Sequence, residues 1–141
     1  MVIDPSAILA IIYAEPEAPL FLTLINQSDR CLLSSPGYVE MSIVLGTRHG
    51  EQGIENLDRL LESLSVTVVP FNPAQARIAA EAFLQFGQGR HPAKLNMGDC
   101  FSYALAKNTG HHYCSKETTL AKRILIWQCS STRQMACLRR C

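Results

Sequence analysis

At 141 residues with 48% hydrophobic content, the chain has the length of one domain and enough apolar side chains for a sizeable core. A formal net charge of +1 argues against a protein that coats nucleic acid through phosphate contacts, but not against an enzyme that meets RNA briefly. No apolar run approaches a membrane span and Met1-Val2-Ile3-Asp4 lacks the basic flank of a signal peptide, so a soluble, cytoplasmic protein with no membrane partner is expected.

Met1-Val2-Ile3 reads as a short buried strand that Asp4-Pro5-Ser6 ends. Pro5 suits a helix's first turn, and Ala7 to Tyr13 continues it. A second helix is expected from Pro16 to Asn26 with Leu20 and Leu24 inside, then a strand at Cys31-Leu32-Leu33-Ser34. Pro36 to Arg48 reads as a helix with Val39, Ile43 and Val44 on one face, broken at His49-Gly50. Ile54 to Leu61 carries a period near 3.6, and Val66-Thr67-Val68-Val69-Pro70 is the best strand by β-branched content. Pro73 to Phe86 is a helix with Ala76, Ala79, Ala80 and Phe83 expected inward. The turn-forming loop from Gly87 to Pro92 leads into a helix that begins near Gly98. Strands separated by helices imply a parallel α/β sheet with right-handed crossovers.

Three acids stand out. Asp4 before Pro5 is a ready N-cap, yet an acid at the carboxyl end of the first strand of a parallel sheet also faces the crevice where such folds bind ligands. Asp99, at another helix start, has the same two readings. Glu40 lies inside a helix and borders the expected Val39-Ile43-Val44 stripe, where a carboxylate is costly to bury unless paired or metal-bound, although its stem can also carry it to the surface. Three carboxylates converging at one end of the sheet would repel without a cation, and oxygen ligands select Mg²⁺ or Mn²⁺ over zinc. Such an ion activates water and steadies a phosphodiester transition state.

The stretches Met1-Val2-Ile3-Asp4-Pro5-Ser6-Ala7-Ile8, Val39-Glu40-Met41-Ser42-Ile43-Val44-Leu45, Val69-Pro70-Phe71, Arg90-His91-Pro92-Ala93 and Leu95 to Ala106 together resemble the PIN-domain ribonucleases, most closely the VapC-type toxins of bacterial toxin–antitoxin pairs. The likeness runs from Met1 to about Gly110 and implies a three-layer sandwich: a central, mostly parallel sheet flanked by helices. It also implies that Asp4 and Asp99 ligate Mg²⁺ (with Mn²⁺ a substitute), that Glu40 is the third catalytic acid, and that the protein cuts RNA. A homodimer and a silencing antitoxin partner follow from the same resemblance. Arg90, His91 and Lys94, in the loop before Asp99, are candidate substrate contacts.

The likeness divides the chain into a PIN-like domain at 1–110 and an atypical tail at 111–141 that partly completes it. The family continues with an apolar strand and a Gly-Asx-Asp-Phe turn that holds a fourth acid; here His111 to Leu120 stand instead, so an edge of the sheet is expected to be lost. Synonymous codons exist for Gly110 to Cys129 such that the shifted frame reads TPLLFKGNDFGQTDIDLAV, the string the family would place there, so a one-frame slip is the hypothesis for the tail. Glu117 is the nearest substitute acid, Trp127 and Ile124 to Ile126 are candidates to repack, and order is expected to fade past Ser130. Cys114, Cys129, Cys137 and Cys141 crowd the tail beside His111 and His112, but no paired knuckle spacing supports zinc. Lys122, Arg123, Arg139 and Arg140 read as solvated bases.

The rival class is a folded but inactive binding module that still engages an antitoxin, a reading favoured by the missing fourth acid. A phosphatase with Asp4 as nucleophile needs a second acid where Ser6 stands, and no Gly-x₄-Gly-Lys loop supports a nucleotide switch.

Overall fold

The first three strands each hand the chain to a helix at the same, carboxyl-terminal end of the sheet, and Asp4 and Glu40 lie at that end. The computed structural model describes residues 1–114. In chain order these form β1 (Val2–Ile3), α1 (Pro5–Ile12), α2 (Ala18–Asn26), β2 (Cys31–Ser34), α3 (Ser35–His49), α4 (Glu51–Ser63), β3 (Val66–Val69), α5 (Pro73–Phe86), α6 (Met97–Thr109) and β4 (Tyr113–Cys114). The four strands pair in parallel in the order β3-β2-β1-β4. The α/β class and the three-layer arrangement expected from the sequence are present.

Side-chain alternation builds the layers. Ile3, Cys31 and Leu33 point to one face, where they pack with Ile8, Phe21, Met41, Leu45, Leu57 and Leu61 from α1 to α4. Val2 and Leu32 point to the other, against Leu105 and Ala106 of α6. A second cluster joins α5 to α6 through Ala79, Ala82, Phe86, Tyr103 and Ala104. Strands buried on both faces read as continuous apolar runs, which is why β1 and β2 lack a polar alternation. Leu33, Leu45 and Leu57 are fully buried, and truncating such a leucine to alanine costs about 2–5 kcal/mol.

Several inward faces differ from the sequence reading. In α2 the buried residues are Ala18, Phe21 and Ile25, and Leu20 is exposed; the helix starts at Ala18 because Pro19 occupies its first turn. In α5 they are Gln75, Ala79, Ala82 and Phe86, whereas Ala76, Ala80 and Phe83 are exposed. The phase differs because alanine marks no face by itself, and a glutamine, Gln75, takes one of the buried positions. β3, the richest in β-branched residues, is an edge strand and only half-buried.

The sheet also keeps its fourth strand. Tyr113–Cys114 pairs with β1 in the register Val2↔Tyr113 and Ile3↔Cys114, and the Asp4 N–H donates to the Cys114 carbonyl at 2.8 Å. The sequence after Gly110 therefore does not remove this edge, contrary to expectation: parallel pairing uses the backbone, and His111 to Cys114 include no proline to interrupt it. Among the described residues no helix is long and apolar enough to cross a membrane.

Candidate active site

Asp4 leaves β1 and starts α1. Its Oδ1 accepts from the Ser6 N–H at 3.0 Å, the cap that Asp-Pro foreshadows, and its Oδ2 accepts from the Tyr113 hydroxyl at 2.9 Å. The residue is only 5% exposed, so a carboxylate here has little access to bulk water and depends on those donors.

Glu40 reaches the same end of the sheet from the second turn of α3. The inward face of α3 is Gly37, Met41 and Leu45. Val39 and Ile43 are 53% and 63% exposed, so the apolar stripe assigned to them in the sequence faces outward. The Glu40 carboxylate lies against the start of α6, where a Cβ built on Gly98 would be 2.8 Å from its Oε2. A second glycine places α3 itself: a Cβ on Gly37 would meet Pro5 Cγ at 2.8 Å, so only glycine lets α3 lie against the first turn of α1. Burial, and then the negative charge of Asp4, holds the Glu40 carboxyl above the usual carboxylate range. The positive end of the α6 dipole beside it partly compensates.

Asp99 is engaged differently. Asn96 Oδ1 accepts from the Asp99 N–H at 2.8 Å while Asp99 Oδ2 accepts from the Asn96 N–H at 2.7 Å, a reciprocal capping box at the head of α6. Asp99 thus performs the capping role, one residue beyond the glycine that meets Glu40. Its charge, after burial, pushes the adjacent Cys100 thiol up to about 11, so that thiol stays protonated and unreactive at neutral pH.

Residues 1–117 match the family described as PIN domain. The chain belongs to the PIN-domain family.

Within it, this PIN domain is 44% identical over 110 residues to Ribonuclease VapC of Mycolicibacterium smegmatis, covering 78% of this chain and 85% of that protein. It is 42% identical over 110 residues to Ribonuclease VapC30 of Mycobacterium tuberculosis, with 78% and 84% covered. The crystal structure of Mycobacterium tuberculosis VapC20, described as a Sarcin-Ricin loop cleaving toxin, superposes with a TM-score of 0.65 at 14% identity, covering 83% of this chain and 89% of that one. At that identity the superposition speaks for the fold.

In this PIN domain, then, Asp4 and Glu40 share one electrostatic environment, and the Glu40 carboxylate lies against Gly98, the residue before Asp99. Among the described residues no three His, Cys, Asp or Glu side chains are gathered as a group that could hold a metal ion. The donor chemistry nevertheless suits a hard cation: the ligand atoms on offer are carboxylate oxygens, and the influences that raise Glu40, burial and Asp4, are both relieved by positive charge.

The preceding loop divides its three candidates. Arg90 and Lys94 are exposed. His91 is committed to the loop itself, its Nδ1 accepting from the Ala93 N–H at 3.0 Å and its ring set edge-on to Phe86 at 5.3 Å. Of the tail candidates, Cys114 is buried in β4 and His111 Nδ1 lies 3.0 Å from the Thr109 carbonyl. Glu117, Lys122, Arg123, Ile124 to Ile126, Trp127, Cys129, Cys137, Arg139, Arg140 and Cys141 lie outside the described residues.

Sequence reasoning missed four residues that shape this end of the sheet: Gly37, Asn96, Gly98 and Tyr113. The Asn96–Asp99 spacing is a readable capping-box signal. The contact of Tyr113 with Asp4 spans 109 positions and leaves no local trace.

Proposed function

We propose that this PIN domain is a metal-dependent endoribonuclease, the toxin of a toxin–antitoxin pair acting in the cytoplasm on RNA. The observation that carries the reading is the Asp4–Glu40 pair: two carboxylates at one end of the sheet, with Glu40 held above its usual range by burial and by Asp4. The ribonuclease names of its VapC relatives support the substrate class. Asp4 and Asp99, with Glu40 beside them, would hold Mg²⁺ (or Mn²⁺), which when bound supplies an activated water and offsets phosphodiester charge. The chain's own part is positional. Gly37 and Gly98 let α1, α3 and α6 close on one another, Ser6 and Tyr113 fix the Asp4 carboxylate, and the Asn96 cap fixes Asp99. Arg90 and Lys94 would attract phosphate by charge alone.

A protein partner is supported by the outward apolar side of α3, where Val39 and Ile43 stand beside Tyr38 and Ile54 around a shallow cavity of about 390 Å³. An antitoxin, or a second copy in a homodimer, would cover such a patch.

The test is cleavage of RNA by the purified chain with Mg²⁺ or Mn²⁺, after EDTA, and after metal is returned. Cutting that EDTA stops, that added metal restores and that Asp4→Asn lacks is the expected result. A folded chain that binds antitoxin but cuts nothing under any of these conditions would favour the inactive binding module.

A further inference from the structure

The least expected contact at the acidic end of the sheet comes from β4. This two-residue strand holds Asp4 twice: the Cys114 carbonyl accepts the Asp4 N–H at 2.8 Å, and the Tyr113 hydroxyl donates to Asp4 Oδ2 at 2.9 Å. The Val2↔Tyr113 register sets the phenol there, two residues before Asp4 on the neighbouring strand. With the Ser6 N–H on Oδ1 at 3.0 Å, each carboxylate oxygen has one fixed donor. A carboxylate offers about four lone-pair sites in all, so both oxygens keep capacity to accept further. The hydroxyl therefore orients the group without blocking it.

We propose that Tyr113 is a positioning residue for Asp4, its hydroxyl locking the carboxylate in the rotamer that receives a divalent cation; the inference rests on the metal reading above. Without the hydroxyl, this buried carboxylate keeps, among the described residues, the Ser6 N–H as its donor and can turn about its side-chain torsions. Hydrogen bonds to a ligand's outer side fix its orientation, and removing one commonly costs 10–100-fold in metal affinity. Phenylalanine retains the ring against β1 and removes only the donor, so the change isolates the hydrogen bond. The assignment also makes the first residues after Gly110 part of the site.

The deciding experiment measures Mn²⁺ binding directly, by titration calorimetry or by the EPR signal of free Mn²⁺, on the full chain, Tyr113→Phe and Asp4→Asn, with thermal melts of each. The expected result is binding by the unaltered chain, loss of that site in Asp4→Asn, and about 10–100-fold weaker binding in a folded Tyr113→Phe. Unchanged affinity in Tyr113→Phe, with or without a lower melting temperature, would overturn the positioning role while leaving the metal reading intact. No Mn²⁺ binding by the unaltered chain would overturn both. Should Tyr113→Phe fail to fold, 3-fluorotyrosine labelling of the unsubstituted chain decides. One of its four tyrosine ¹⁹F resonances should move on Mg²⁺ addition and not in Asp4→Asn, whereas four unmoved resonances would overturn the proposal.

Discussion

The Glu40 carboxylate is seated against Gly98, so close that a single added carbon would lie 2.8 Å from Oε2. This contact joins α3 to the first turn of α6, one residue before Asp99.

Gly98→Ala should therefore separate stability from activity. Alanine is favoured over glycine in a helix by up to about 1 kcal/mol. The added carbon would meet two side-chain oxygens: Glu40 Oε2 at 2.8 Å, which must move, and the capping Asn96 Oδ1 at 3.1 Å, which must give by a few tenths of an ångström. The melting temperature should stay level or rise, while RNA cleavage falls at least about tenfold because a displaced catalytic group is costly. Cleavage at the unaltered rate would mean that the Glu40 position is unimportant.

Gly37→Ala should behave oppositely. Its Cβ would meet the rigid Pro5 ring at 2.8 Å, with Leu33 Cδ1 behind it at 3.5 Å. Overpacking of this kind costs about 1–3 kcal/mol. Urea denaturation should show that loss, and a variant as stable as the parent would refute the close packing of α3 on α1.

Glu40 gives the metal-free protein a pH signature. Its folded-state pKa is raised, by burial first and then by Asp4. Below the unfolded value of about 4.3 both states hold the proton and nothing is lost. As pH rises past that value the unfolded chain releases its proton first, so stability falls until the folded pKa is passed, then stays lower. Because Glu40 as a residue is exposed, solvent screening limits the effect to under about 1 kcal/mol. In EDTA, Glu40→Gln should lack this decline between acidic and neutral pH, and Mg²⁺ should erase the difference. Identical pH profiles for both proteins would contradict the account.

Arg90 lies exposed on the loop that feeds α6. Arg90→Ala should raise KM for RNA severalfold, weaken the salt dependence and leave kcat near the parent value, as expected of a phosphate contact. A fall in kcat at constant KM would assign it another role.

Much of this was legible in the chain. The β2 strand and the α5 helix run over the residues their composition indicated, because a short apolar run, an Asn-Pro start and a glycine stop are local signals. Faces were less legible. Val39 and Ile43 look like core by composition but project from α3, since the contact with α1 and β2 selects the Gly37-Met41-Leu45 face. In α5 a glutamine, Gln75, takes a buried position that alanine spacing alone would not assign. At the site, Asp4 and Asp99 carried both readings in the sequence, and the capping half of each is visible in the structure. The Tyr113 contact was illegible because tertiary register, not local pattern, creates it.

The most direct measurement is Mg²⁺-dependent RNA cleavage by the unaltered chain and by Asp99→Asn. Asparagine keeps an oxygen that can accept the Asn96 N–H, so the capping box and stability should survive while the charge is lost. The expected result is a folded variant, within about 1 kcal/mol of the parent, that no longer cuts RNA. An Asp99→Asn protein that cuts as well as the parent would contradict it, and would leave Asp99 as a helix cap alone.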